Sequence, residues 1–481
     1  MNTHNSGLRG RIFWLLACIE FFERYGFYVV LSLMILLLTN RMGWSDAHAY
    51  TYVAGVTALI YIAPLVGGWV TDNIIDNTLA LLIGSIFLCL GYISLTLWSH
   101  LGINVGMSLL IIGMAFFKFA PSAMIGEMYK DEKTKLDRLF VIFYVSINVG
   151  ALFAFFSSGW LQEKMGWYHV FLMPALGLFV ASFFARAIML YKKNLAESQH
   201  KYKISNVALL IAGCLLSAAI LQVLLHFYHS ISVVTLLVAT SFVIFIAKKS
   251  VALKYDEKNN LLYILIMCLI AIIFFILYGE QSTLITLFTE RLCKAKLFNY
   301  ITIQPSAYAG FDAMWILILS PIVSLLFKKY DKNASKKSLM IKFGMGLIIN
   351  GIGFYVLALT LSNTHLPHSV EPAWVCLSFA FQALGEILVS ALGLSLMAKW
   401  APAPLYNTLM GSWFLVVAIG SCLSGYLNTE LASIKTSEPL TMIIQAYHHS
   451  FIFLTVMALG TGIITIMISR PICQLLNRKL N

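Results

Sequence analysis

Charge is what this sequence has least of. Of its 481 residues only 11% are Asp, Glu, Lys or Arg, while 60% are hydrophobic. Its mean hydropathy is +0.83. A soluble domain carries about 25% charged residues, so a water-soluble fold is excluded. Strand-type alternation is absent, and the apolar runs are too long for a membrane β-barrel. The eight cysteines include no C-x-x-C and no metal-ligand spacing; we read them as small core residues. No H-E-x-x-H, G-x-S-x-G or Walker loop occurs, which leaves an intramembrane protease or an ATP-driven pump without support. The first apolar run, Ile12 to Leu38, is too long and too charged for a signal peptide and has no small-residue cleavage site.

What is there is a series of long apolar runs. About fourteen are long enough to cross a bilayer as helices, so the fold class is an all-α polytopic membrane protein. The net charge of +12 comes from basic residues that lie mostly in loops between spans. That placement argues for cytoplasmic retention of loops and against nucleic-acid binding. With the N-terminus inside, roughly two dozen cations fall on the inner side, about four times the outer number. They include Arg9, Arg11, Lys130–Arg138, Lys192–Lys203, Lys248–Lys258 and Lys328–Lys342. An even span count then puts both termini in the cytoplasm.

The few charges inside spans are the informative ones, because each costs on the order of 3 kcal/mol by insertion scales. Glu20, Glu23 and Arg24 share one face of the first span by their three- and four-residue spacing. Glu20 can pair with Arg24, which leaves Glu23 needing a proton or another partner. Lys118 lies in Phe116–Pro121, deep in the fourth span. Snorkelling does not suit that position, since apolar residues flank it on both sides. Glu280, Asp312 and Glu386 are the acids of the later spans. Each has a bland reading: packing ion pairs for Glu20, Arg24 and Lys118, a solvated carboxylate for Glu280, an N-terminal helix acid for Asp312. Small residues beside Glu386 would let a backbone or a substrate amine approach closely.

Basic segments near 191–203 and 248–260 bracket two middle spans that carry no buried charge. The expected organisation is a six-helix bundle over 1–190, an inserted transmembrane hairpin with basic linkers over 191–260, and a second six-helix bundle over 261–481. The bundles would be parallel repeats with a site between them. The buried charges fit this: the first span of each half carries acids, and the fourth spans carry Lys118 and Glu386.

Several motifs converge on one family. Glu20-x-x-Glu23-Arg24 followed by aromatics resembles the first-helix signature of proton-dependent oligopeptide transporters, a branch of the major facilitator superfamily. Gly67-Gly68 through Asp72, Phe143-Tyr144 through Asn148 and Gly150, and Gly385-Glu386 through Ala401-Pro402 resemble further signatures of that family, in the family's order. The resemblance implies a fourteen-span bacterial member: a proton-coupled symporter of di- and tripeptides in the inner membrane, monomeric, with no cofactor besides the proton. It also implies roles. Glu20, Glu23, Arg24, Lys118 and Glu280 would couple protons. Tyr28, Tyr61, Lys118, Asn148, Asp312, Glu386 and Trp413 would bind the peptide, with ordinary packing the alternative for Trp413.

Departures from the family pattern fall in the same places. Leu31 stands where many members have an arginine, Asp312 where asparagine is common, Phe27 for tyrosine, Ala54 for a histidine known in some, and Ala391 for a proline. These changes leave transport intact as an expectation and shift doubt onto the cargo. Another small amine-containing or zwitterionic solute, or a non-transporting receptor on the same fold, are the alternatives.

Overall fold

A computed structural model describes residues 3–97, 100–129, 133–194, 204–330, 335–362, 366–402, 405–431 and 438–477. Parts of the basic segments named above, Lys130–Glu132 and 195–203 among them, lie outside the described residues, as does the side chain of Asp72. Fifteen helices run in chain order. The first eight are α1 Thr3–Leu36, α2 Asp46–Asn73, α3 Asn77–Leu95, α4 His100–Phe117, α5 Ala120–Met128, α6 Lys133–Asn194, α7 Ile204–His226 and α8 His229–Ser250. The others are α9 Tyr255–Gly279, α10 Leu284–Leu292, α11 Gly310–Tyr330, α12 Lys336–Leu361, α13 Pro372–Trp400, α14 Tyr406–Leu431 and α15 Leu440–Asn477.

Among the described residues, 12 helical stretches are long and apolar enough to cross a membrane. One of them, Ile142–Lys192, has 51 residues, about twice what one crossing needs. It turns at Gly166, whose φ is 83° and ψ 172°, a backbone conformation that glycine adopts without steric penalty. Two spans are therefore joined there with almost no loop.

The chain forms two compact units. Unit 1 is Met1–Leu33 with Leu59–Ile231, and unit 2 is Met34–Ala58 with Ser232–Asn481. Internally they are built alike. In unit 1, α3 packs on both α4 and α6; in unit 2, α12 packs on both α13 and α15. The third span of each half is thus its pillar. Glycine permits the close contact. A Cβ on Gly385 of α13 would lie 2.8 Å from the Gly346 carbonyl oxygen of α12, and one on Gly91 of α3 3.0 Å from that of Gly106 on α4. Bilayer-embedded helices associate through such backbone approach, because lipid offers no hydrophobic drive between them. The approach to Gly385 that the sequence left open is therefore made by backbone.

The two middle helices have separate partners. α7 packs on α4 in unit 1, where Gln222 Nε2 donates to Ser108 Oγ at 3.1 Å. In unit 2, Cys422 Sγ of α14 contacts Thr235 Oγ1 of α8 at 3.5 Å.

Candidate functional site: buried charges in each unit

In unit 1 the cluster forms on the inward face of α1. Glu20, Glu23 and Arg24 are all buried, Glu23 to 1% exposure. Arg24 puts its guanidinium fork on Glu23, with Nη2 donating to Oε1 at 2.7 Å and Nε to Oε2. Its Nε also lies 3.5 Å from Glu20 Oε1. Sequence spacing assigned Arg24 to Glu20 and left Glu23 without a partner; the fork instead takes Glu23, and Glu20 keeps the longer contact. Bidentate geometry explains the preference, since two parallel charge-assisted bonds satisfy more of a planar guanidinium than one.

Phe27, one turn further, carries both cations of the cluster on its ring. Arg24 Cζ sits 4.8 Å from the centroid and Lys118 Nζ 6.0 Å, within cation–π range. Lys118 lies within electrostatic reach of Glu20 and Glu23. Among the described residues no carboxylate approaches it within 4.0 Å, so the tight ion pair of its bland reading does not form. The sequence placed Lys118 inside a continuous helix. The structure breaks that helix: α4 ends at Phe117 and α5 begins at Ala120, with Pro121 in its first turn. Proline cannot donate to the preceding turn, and Lys118 sits in the gap it leaves.

Gly150 explains part of the fifth-span motif. A Cβ there would lie 2.8 Å from the Phe21 carbonyl oxygen and 3.0 Å from Arg24 Cβ. The glycine lets α6 press directly against the cluster. Asn148, two residues earlier, is buried and donates Nδ2 to the Tyr144 carbonyl at 2.9 Å. Tyr28 is half-buried with its ring 5.1 Å from that of Phe155, and Tyr61 is half-buried on α2.

The site residues of unit 2 include three acids. Glu280 follows the end of α9 and is 0% exposed, so the solvated reading fails. Ser424 Oγ donates to its Oε1 at 2.9 Å, and its Oε2 has no partner among the described residues. Asn428 lies beside it and donates to Thr283 Oγ1 at 3.2 Å. Gly279 makes room for this, since a Cβ there would lie 2.6 Å from Ser424 Oγ.

Asp312 is in the first turn of α11 and buried. It does not act as a solvated helix-end acid. Gln281 Nε2 donates to its Oδ1 at 3.3 Å, and its carboxyl group is a near neighbour of that of Glu386. Glu386 Oε2 has no partner among the described residues. Trp413 is buried, 5.6 Å from the Phe275 ring, with its indole closely against Gly393; the packing reading accounts for its contacts.

Several groups were not singled out in the sequence. Gln281, Ser424 and Asn428 surround the acids, and only Gln281 stood next to a residue already marked. A second ion pair joins α2 to α10. Arg291 donates Nη1 to Asp46 Oδ2 at 2.7 Å and Nη2 to Oδ1 at 2.8 Å, with Tyr447 Oη 3.2 Å away. Asn40 donates to Glu290 nearby. These partners are separated by 245 and 250 residues, and local spacing cannot signal such pairs. No group of three or more His, Cys, Asp or Glu able to hold a metal occurs among the described residues.

Membrane-length helices in two internally similar units, each with a buried titratable cluster, are those of a multi-pass transporter of the major facilitator superfamily fold. The sequence profile of the POT family matches residues 78–449, and the chain belongs to the POT family. Similarity extends beyond that profile to α1. Dipeptide and tripeptide permease A of Cronobacter turicensis is 29% identical over 483 residues, spanning 98% of this chain and 94% of the relative. The permease of the same name from Escherichia coli K12 is 28% identical, over 96% and 92%. Tetrameric PepTSo2 superposes with a TM-score of 0.84 at 23% identity, covering 98% of this chain and 100% of the other. A bacterial homologue of the human drug peptide transporters PepT1 and PepT2 gives 0.82 at 23%, over 97% and 99%.

Proposed function

We propose that this protein is a proton-coupled symporter that imports di- and tripeptides by alternating access across a bacterial inner membrane. Both termini are cytoplasmic in this reading, the working unit is a monomer, and the proton is the sole coupling species. The names of the full-length relatives support the cargo. The observation that carries the coupling is the buried Glu23–Arg24 fork with Glu20 at 3.5 Å. Protonating Glu23 converts a bidentate ion pair into a neutral acid beside a cation, and Arg24 is left with the longer contact to Glu20. Such a change biases a conformational equilibrium only if the two conformations hold the charges differently, and a forked pair is sensitive to that. Glu20, Glu23, Arg24, Lys118 and Glu280 form the coupling set.

Substrate binding falls to Tyr28, Tyr61, Lys118, Asn148, Asp312 and Glu386, with Trp413 in a supporting place through packing. The Asp312–Glu386 pair receives the amino terminus, because an ammonium can donate to both carboxyl groups. Lys118 serves the peptide carboxylate. The membrane potential adds about 2.3 kcal/mol per charge per 100 mV. The test is uptake of a labelled dipeptide into proteoliposomes with and without an imposed proton gradient. Gradient-dependent accumulation is expected; equal uptake in both conditions would overturn the coupling, and no uptake would overturn the cargo.

A further inference from the structure

A further cavity opens on the surface of unit 1, outside the buried clusters. It has a volume of about 530 Å³ and lies between the start of α1 and the end of α6. That size falls in the range of small-molecule sites, about 300–1,000 Å³. One wall is Gly7, Gly10, Arg11 and Trp14; the other includes Phe184 and Tyr191. Gly7, Arg11 and Trp14 share a helix face by their spacings of four and three, and Phe184 and Tyr191 do so at seven.

The wall chemistry changes with depth. α1 and the end of α6 run antiparallel, since the cavity joins residues 7–18 to Phe184 and Tyr191 while Phe22 meets Gly177 further along; Arg11 and Tyr191 therefore stand toward the same end, with Lys192 next in sequence. Trp14 is about 4.5 Å deeper and Phe184 about 10 Å deeper, at 1.5 Å per residue. Trp14 is 59% exposed, a typical placement for an indole at the membrane interface. Arg11 is exposed and has no carboxylate within ion-pair distance among the described residues, whereas Lys192 already has Glu127 at 3.2 Å. The floor is open: a Cβ on Gly7 or Gly10 would meet nothing within 4 Å. A free guanidinium above an apolar cleft matches a phosphate head above an acyl chain, since the planar fork binds phosphate oxygens in pairs.

We propose that this groove is a binding site for one anionic glycerophospholipid of the leaflet that contains the start of α1. Arg11 holds the phosphate. Trp14 and Tyr191 flank the head region, and an acyl chain lies over Gly10 toward Phe184. The occupant is a lipid rather than a second copy of the chain because the charge is concentrated at the mouth and the remaining walls are apolar at acyl-chain depth.

The test is native mass spectrometry of the full chain in detergent with phosphatidylglycerol and phosphatidylcholine of equal chain length at equal concentration. Wild type should retain the anionic lipid at least fivefold over the zwitterionic one. Arg11→Gln should bring the two to parity. Gly10→Trp fills the groove at a position with free space, and should lower both adducts at least threefold while the thermal midpoint and dipeptide uptake stay at wild-type values. A wild type without preference, or a preference that survives in Arg11→Gln, overturns the site. So does a dimer peak that Gly10→Trp removes, which would make the groove a self-association surface. If Gly10→Trp does not fold, the Arg11→Gln arm still decides. Uptake is read separately, so failure here is distinguishable from failure of the transport assignment.

Discussion

The two units bury similar numbers of titratable side chains and balance them differently. In unit 1, Glu20 and Glu23 are set against Arg24 and Lys118, two acids against two bases, with the guanidinium bonded directly to one acid. In unit 2, the partners of Glu280, Asp312 and Glu386 are Ser424, Gln281 and each other. No Lys or Arg among the described residues pairs with them. Unit 2 is not devoid of ion pairs, because Asp46 has Arg291 on both oxygens. The difference lies in how charge is neutralised. Ion pairs balance the first cluster, whereas no cation among the described residues faces the second, in an interior where uncompensated ions cost several kcal/mol each. A cluster balanced by a movable cation suits a switch. A cluster of acids without a cation suits receiving one.

The largest expected effect breaks the first balance. Arg24→Ala leaves Glu20 and Glu23 buried with only the more distant Lys118, and should cost about 3–5 kcal/mol, the range for removing one partner of a buried pair. Glu280→Gln puts a neutral isostere in place of an acid that no cation among the described residues pairs with, and should cost under about 1 kcal/mol. Thermal unfolding of the two purified variants compares them directly. Equal destabilisation would mean that Glu280 is ionised, and the contrast between the units would fall.

Next comes the switch itself. Glu23→Gln fixes the acid in a neutral form and removes the fork. Proton-driven accumulation of a labelled dipeptide should drop to background while counterflow exchange persists, because substrate contacts are untouched. Normal accumulation in this variant would remove Glu23 from the coupling set. Lys118→Ala should act in the same direction with a smaller effect, on the order of tenfold, since its contacts to the cluster are longer, with Nζ 6.0 Å from the Phe27 ring. It should also raise the dipeptide KM if Lys118 serves the carboxylate. A variant with unchanged uptake and KM would leave the cation without either role.

How far the sequence reaches can be judged at these same residues. The spans, their apolar character and the placement of buried charges on matched helices were legible, because hydropathy and three-to-four spacing are local signals. Membership of Glu20, Glu23 and Arg24 in one cluster was legible for the same reason. Which acid takes the fork was not, because two partners at three and four residues compete through rotamers that packing decides. The break at Lys118 was written in Pro121 and could have been read from it. Asp312 joining Glu386, and Asp46 joining Arg291, depend on helix packing across long stretches of chain, and nothing in local spacing encodes them.

The smallest effect concerns cargo and sharpens the contrast furthest. Across the chain the cluster acids outnumber the bases five to two, and the structure puts the whole excess in unit 2. Asp312 accounts for one of those negative charges; the family resemblance implies asparagine as the common residue there and an arginine in many members where Leu31 stands. Both departures favour an ammonium over a carboxylate. An amine entering between Asp312 and Glu386 can donate to both carboxyl groups. A Lys-containing or C-terminally amidated dipeptide should therefore compete for uptake at least as well as a neutral one, and N-acetylation should weaken competition. Asp312→Asn keeps a hydrogen-bonding group beside Glu386 and removes one acid. It should reduce the advantage of the cationic peptide by about tenfold, or roughly 1.4 kcal/mol, with little change for the neutral one. If amidation weakens competition tenfold in the wild type while N-acetylation does little, the excess charge of unit 2 does not meet the substrate, and Asp312 serves only to hold Glu386 in place.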